Sequence, residues 1–388
     1  MNILEINKFH YLRRGAERHY LDVANLLESN DHNVAVFSMQ HSKNILSKWE
    51  NFFVSYVGYN EDDSTVWQRI IGAGRLFWSF EARRKVKALL GEFCPDIVHL
   101  HNIYHQLSPS ILTPLKQSGA KIMMTVHDYN LISPDKDQYY DEVGRQYWKF
   151  LRVKKYGFAK RLLLVLKMYV EKYFNLYEKT VDVFIAPSQF VKETLIQGGM
   201  DEQKIVVIPH FIDRTENDAV KNRDAEEKKQ ALYFGSLSKE KGIAELVQIF
   251  DGLQIPLVLA GSPEEGFELP KSKYVKYVGQ QGREQIERLI QESSCVVSGS
   301  RLPETFGLIA LEALSFGKPF FGLRSGAYVE IIEDGENGFL MNDFEDFEEV
   351  IRQYFDGMIR FNAEAIQKEA YTKYGAEAYY AKWMEVLK

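Results

Sequence analysis

Short apolar runs alternate with helical segments in two successive series along this chain, and that rhythm limits the fold more than any other feature. In the first series the apolar runs are residues 3–6, 34–37, 97–100, 121–126, 183–186 and 205–208, with helical patterns over 16–28, 66–90, 108–117 and 189–197 between them. Such alternation reads as successive β-α-β units, which pack as a parallel sheet with helices on both faces. The charged run 213–230 has few large apolar residues and reads as an exposed crossing. A second series follows it, with strands expected at 231–234, 257–260, 274–277, 295–297 and 319–322. At 388 residues two cores are the natural expectation. The expected class is therefore α/β: two doubly wound, Rossmann-like domains facing across a cleft, with ligands at the carboxyl ends of the strands. The boundaries are an N-terminal domain over 1–208 and a C-terminal domain over 209–374, with the aromatic-rich helix 375–388 packing back on the first.

Bulk properties narrow the class of partner. Cys94 and Cys295 are the only cysteines, far apart, so a reducing cytoplasm is expected rather than a disulfide framework. The opening Met1-Asn-Ile-Leu-Glu-Ile6 reads as a buried strand, not a leader, and no apolar stretch is long enough to span a bilayer. Residues 1–210 hold 27 basic and 23 acidic side chains and all nine histidines, whereas 211–388 hold 21 basic and 31 acidic. Two halves of different charge fit two domains with different ligands. Residues 149–172 concentrate Lys149, Arg152, Lys154, Lys155, Lys160, Arg161, Lys167 and Lys172 against the single acid Glu171, among leucines and aromatics. Such a segment either lies on an anionic membrane surface or packs on the sheet with a solvated basic face. Nucleic acid is not expected as a partner, given the acidic second half.

The chemistry concentrates in Ser300-Arg-Leu-Pro-Glu304-Thr-Phe-Gly307-Leu-Ile-Ala-Leu-Glu312-Ala-Leu-Ser-Phe-Gly317-Lys-Pro319. Pro303 and Gly307 mark a turn, and Leu308 to Phe316 form a helical run stopped by Gly317 and Pro319. At ~100° per residue, Glu312 falls beside Leu308, Ile309 and Phe316 on the apolar face, where a carboxylate is costly unless hydrogen-bonded. The helix start at Phe306, Gly307 and Leu308 offers backbone N–H groups to an anion. Carboxylates for a polyhydroxyl group, beside a helix start for a phosphate, describe a sugar-nucleotide site. The plainer alternative is a strand–turn–helix whose Glu312 faces solvent.

Joined to Tyr233-Phe-Gly-Ser-Leu-Ser-Lys-Glu-Lys-Gly242, Val278-Gly279 and the segment Ser325 to Phe339, this stretch resembles the retaining glycosyltransferases of family 4, which have the GT-B fold. Arg14-Gly-Ala-Glu17, Asp96-Ile-Val-His-Leu-His-Asn102, Thr125-Val-His-Asp-Tyr129 and Ile185-Ala-Pro-Ser188 carry the resemblance into the first half. It implies transfer of a sugar from a UDP- or GDP-sugar to a glycan or lipid-linked acceptor with retention of configuration, as in bacterial cell-surface polysaccharide synthesis. It also implies an enzyme that needs no cofactor or metal; the expected place is the cytoplasm, with a peripheral contact at the inner membrane face if the basic segment 149–172 lies on lipid. Lys241 would meet the charge on the leaving phosphate. Glu304 would bind donor-sugar hydroxyls and Glu312 the ribose diol, while Thr305, Phe306, Gly307 and Leu308 complete the donor contacts. Gly15 would let the first loop approach the diphosphate closely. Gly279 and Gln280 would form the nucleobase pocket. His127 is the expected catalytic histidine, near the reacting face of the sugar, and Asp128 either orients it or starts the turn, with the turn preferred. His101 and Asn102 are expected on the acceptor side.

Two positions depart from the family pattern. Ser236 stands where an arginine usually follows the loop glycine, with Arg301 or Arg14 as candidates to supply the missing charge. Arg14 itself replaces a common glycine. Ser236 keeps open a non-catalytic GT-B protein that binds a nucleotide sugar or glycan for a partner enzyme. A nicotinamide-dependent oxidoreductase is disfavoured, because the first loop, Lys8-Phe-His-Tyr-Leu-Arg-Arg-Gly15, has no G-x-G-x-x-G.

Overall fold

The computed structural model describes residues 1–56, 74–104, 106–213 and 227–388. The start of the expected helix 66–90 and most of the charged crossing 213–230 lie outside them. The chain divides into two compact units, one of Met1–Ile208 with Glu385–Lys388 and one of Pro209–Met384.

The first unit is built on a six-stranded sheet ordered β2-β1-β3-β4-β5-β6. Its strands are β1 (Asn2–Ile6), β2 (Asn33–Phe37), β3 (Ile97–Leu100), β4 (Lys121–Thr125), β5 (Val183–Ala186) and β6 (Ile205–Val207). All pairings are parallel. A parallel sheet is covered on both faces, which is why these strands read as nearly unbroken apolar runs. Two of its helices start where a side chain satisfies the first backbone donors. The Ser79 hydroxyl accepts from Ala82 N–H ahead of Phe80–Glu92, and Ser188 accepts from Val191 N–H ahead of Gln189–Gln197. Chain order reverses between β1 and β3, so their carboxyl ends open the crevice of this sheet.

The second unit repeats the plan. Its sheet runs β12-β11-β10-β7-β8-β9, from β7 (Lys228–Phe234), β8 (Leu257–Ala260), β9 (Val275–Tyr277), β10 (Ser293–Ser298), β11 (Phe320–Leu323) and β12 (Gly338–Met341). Every pairing is again parallel. β12 is absent from the sequence expectation. The reversal falls between β10 and β7. The chain ends in two helices, Ala363–Tyr374 and Ala376–Glu385. The last helix groups with the second unit up to Met384, where Phe211 and Tyr379 pack at a tilt with ring centroids 4.5 Å apart. Only Glu385–Lys388 group with the first unit, where Lys121 Nζ donates to the Val386 carbonyl.

Candidate active site

In the second unit, two loops meet at the carboxyl ends of β7 and β10. Gly242 lies in the left-handed region at φ +66°, and a Cβ there would sit 2.2 Å from the Gly299 carbonyl oxygen. Only glycine allows this approach. Arg301 N–H donates to the Glu240 carbonyl across the same junction, at 3.0 Å. The consequence is an ion pair between residues 63 apart in sequence: Lys241 Nζ lies 2.5 Å from Glu304 Oε1. Both side chains keep about a fifth to a quarter of their surface, 25% and 21%, so the pair is reachable by a ligand.

Glu304 is held from behind. Ala327 N–H donates to the Glu304 carbonyl at 2.9 Å. The next turn begins at Gly307, φ +97°, where a Cβ would lie 2.5 Å from the buried Tyr328 ring. The helix Leu308–Ser315 starts there, so its first N–H groups and its positive dipole end lie in the same stretch of chain as the ion pair. Tyr328 and Tyr233, whose hydroxyl donates to the Ser236 carbonyl at 2.7 Å, brace these loops. Sequence reasoning missed both tyrosines.

Several expected residues take different positions from those read in the sequence. Within Leu308–Ser315 the inward face is Ala310, Leu311, Ala313 and Leu314, all buried. Glu312 is only half-buried, as are Leu308, Ile309 and Phe316, so it is not on the deep apolar face. Arg301 is turned to Glu245, 2.9 Å away, and over the Phe344 ring, which engages it away from the Lys241 loop. Ser236 is half-buried in the loop after β7. Gly279 closes on the neighbouring loop, its carbonyl accepting from Gly261 N–H at 2.9 Å, and Gln280 Oε1 accepts from Ser262 Oγ at 3.1 Å. Thr305 and Phe306 complete the turn between Glu304 and the helix, Thr305 half-buried and Phe306 buried against His210.

The first unit has its own polar cluster at the carboxyl ends of β1, β3 and β4. In parallel register Glu5 pairs with His99, and His99 with Met123. Side chains two residues apart share a face, so Glu5, His99, His101, Thr125 and His127 all project to one side of the sheet. Glu5 is wholly buried and bridges two rings: Oε1 to His99 Nδ1 at 3.0 Å, Oε2 to His101 Nε2 at 2.9 Å. His99 Nε2 meets Thr125 Oγ1 at 2.8 Å, and His101 Nδ1 meets His127 Nε2 at 2.9 Å. Burial pushes the Glu5 carboxyl up, but the two imidazoles outweigh it and hold it well below the usual carboxylate range. Burial and the adjacent His99 hold His101 below the usual histidine range, against the pull of Glu5.

His127, bonded to His101, is half-buried. Asp128 accepts from Asn130 N–H and Nδ2–H, each at 3.0 Å, so it shapes the turn that follows β4. Burial raises the Asp128 carboxyl and lowers the Lys8 ammonium, each partly offset by the other. His101 was expected on the acceptor side. It is instead fully buried, with both ring nitrogens engaged. Asn102 is buried and its N–H donates to Asn7 Oδ1 at 3.1 Å. Arg14 and Gly15 are exposed at the start of the helix Gly15–Ser29.

Glu5 was the residue missed in this cluster. The signal was present: a carboxylate inside the apolar strand Ile3-Leu4-Glu5-Ile6. Among the described residues, Glu5, His99 and His101 are the one group whose donor atoms lie close enough to hold a metal ion. Each Glu5 oxygen already meets a different ring, however, and the far nitrogens of both rings are taken by Thr125 and His127. That geometry is a hydrogen-bonded relay.

Comparison with known proteins agrees with both halves of this description. Residues 13–216 match the family model of Glycosyltransferase Family 4, and residues 214–373 match that of Glycosyl transferases group 1. An uncharacterized 41.2 kDa protein in the cps region of Klebsiella pneumoniae is 24% identical over 298 residues, covering 73% of this chain and 75% of that protein. The lipopolysaccharide 1,2-N-acetylglucosaminetransferase of Salmonella typhimurium is 26% identical over 181 residues, 40% of this chain and 47% of that protein. Among solved structures, Anabaena HepE in complex with UDP-glucose superposes with a TM-score of 0.64 at 19% identity, over 100% of this chain and 99% of that one. Sucrose-phosphate synthase from Thermosynechococcus elongatus gives 0.71 at 16% identity, over 100% and 98%. At those identities the structures speak for the fold alone, which is the GT-B fold. The first family model by itself spans more than half of the sequence, and the chain belongs to Glycosyltransferase Family 4.

Proposed function

We propose that this glycosyltransferase moves a sugar from a nucleoside-diphosphate donor to a saccharide acceptor in cell-surface polysaccharide synthesis, with retention of configuration and without a metal ion. The observation that carries the donor half is the Lys241–Glu304 pair beside the start of the helix Leu308–Ser315. As the bond from the anomeric carbon to the diphosphate breaks, negative charge builds on the leaving phosphate. Lys241 and the helix N–H groups are placed to meet it, in the role a divalent cation would otherwise fill. Glu304 then has its carboxylate for sugar hydroxyls, with Glu312 on the half-exposed side of the helix for the ribose. HepE's complex with UDP-glucose supports a UDP-sugar donor, and the Salmonella transferase supports a saccharide acceptor.

The membrane reading rests on the helix Phe158–Phe174. Its outer ridge is Phe158, Leu162, Leu166, Tyr169 and Tyr173, between 40% and 82% exposed and without a charge. Half of the basic side chains in 149–172 are drawn inward: Lys155 to Asp135, Lys167 to Glu171, Lys172 to Glu178, and Arg161 to the Leu151 and Val153 carbonyls. Lys149, Arg152, Lys154 and Lys160 remain to rim the ridge, a pattern that suits a peripheral contact with anionic lipid. No helix among the described residues is long and apolar enough to cross a membrane. Sedimentation with vesicles containing phosphatidylglycerol tests it: binding should fall in Leu166→Asp, and equal binding by both proteins refutes the ridge.

The transfer itself is tested with a panel of nucleotide sugars, with and without EDTA, following nucleotide release by mass spectrometry. Slow release from one donor, insensitive to EDTA and lost in Glu304→Ala, is the expected result. Failure of every donor to bind would favour the non-catalytic alternative that Ser236 keeps open.

A further inference from the structure

We infer that Glu5 is a positioning residue for His127: acting through His101, it dictates which ring nitrogen of His127 carries the proton. The role in catalysis rests on the reading of His127 as the site histidine; the proton arrangement does not.

A carboxylate only accepts hydrogen bonds. Each ring nitrogen facing Glu5 must therefore be an N–H: Nδ1 of His99 and Nε2 of His101. A neutral imidazole has a single N–H. His101 spends its own on Glu5, so its Nδ1 is an acceptor, and His127 Nε2, 2.9 Å away, must donate to it. The two ring planes lie within 19° of parallel, with centroids 5.2 Å apart. Neutral His127 then carries its proton on Nε2, and Nδ1 is the nitrogen that bears the lone pair. Selection of one tautomer by the partner of the other nitrogen is a general property of histidine.

The surroundings protect the arrangement. Tyr20 packs edge-on to His101 with centroids 5.3 Å apart, and its hydroxyl is occupied by His10 Nδ1 at 2.8 Å. His19 meets the edges of His101 and His127 at 6.1 and 5.6 Å. Of the nearby charged groups, Asp128 is tied to Asn130, and Lys8 and Glu17 offset one another. The network runs outward, from fully buried Glu5 to half-buried His127.

The experiment is two-bond ¹H–¹⁵N correlation of the histidine rings in full-length protein, with His127 assigned by its loss in His127→Gln. Wild type should show neutral His127 protonated at Nε2 and bare at Nδ1. A wild-type His127 bare at Nε2 overturns the inference without any variant. In Glu5→Leu and in His101→Phe the signals should move toward a mixture of tautomers, and kcat should fall on the order of tenfold or more with donor KM little changed. A fixed Nε2–H tautomer in both variants overturns the role of Glu5. Should Glu5→Leu fail to fold, wild type and His101→Phe decide. If the spectra are as expected but His127→Gln transfers sugar at the wild-type rate, the reading of His127 at the reaction falls, and the positioning role with it.

Discussion

Replacing Gly242 by alanine should damage both the stability of the second unit and its chemistry. The new Cβ would lie 2.2 Å from the Gly299 oxygen and 2.8 Å from its carbonyl carbon, backbone atoms that cannot rotate away. Ordinary contact begins near 3.4 Å, so the two loops must part by about 1 Å. The left-handed φ of +66° adds ~1–2 kcal/mol for a side chain that dislikes it. Overpacking against fixed neighbours adds ~1–3 kcal/mol, giving about 2–5 kcal/mol in all. The same opening draws Lys241 from Glu304, and a misplacement of about 1 Å at a reacting group costs on the order of 10²-fold in rate. Gly266→Ala is the control. It has a comparable φ of +76° and nothing within 4 Å of the added Cβ, so it should lose only the conformational part and keep its turnover. Urea unfolding and donor turnover, measured on both variants, test the reasoning. Gly242→Ala as stable and as active as Gly266→Ala would refute it.

Two further outcomes follow from the electrostatics. Glu304→Ala should abolish transfer yet shift unfolding by no more than ~1 kcal/mol, because a partly exposed ion pair contributes little to stability; a large fall in the melting midpoint would mark Glu304 as structural instead. Burial holds His10 down to about 4 from an ordinary value of 6.5, so the unfolded chain takes up the proton first. Stability from this group is full above about pH 6.5, declines as the pH falls, and levels off below about pH 4. Between about pH 7 and pH 5 wild type should lose roughly 2 kcal/mol more than His10→Phe. The variant starts lower, with the Tyr20 hydroxyl deprived of its partner, but its pH profile is flatter. Parallel urea midpoints across that range would contradict the assignment.

Much of the architecture was legible because a parallel sheet demands it. Strands buried on both faces must be almost wholly apolar, so Val183–Ala186 or Leu257–Ala260 announce themselves locally. The turn at Pro303 and Gly307 and the helix after it were equally plain, since Gly307 and Pro319 act through their own backbone. Glu312 was misplaced because helical periodicity gives an angle around the axis but not how deep that face lies.

What the sequence by itself determined was the set of local elements, their order, and the residue types able to bind a sugar nucleotide. Only the tertiary structure decided which of those residues meet. Lys241 reaches Glu304 across 63 residues because Gly242 lets one loop close on another. Glu5 reaches His101 across 96 residues because β1 and β3 pair in one register. Hydrogen bonds and ion pairs depend on distances of about 3 Å, and no local pattern encodes a distance between segments that the chain brings together only when both sheets have formed.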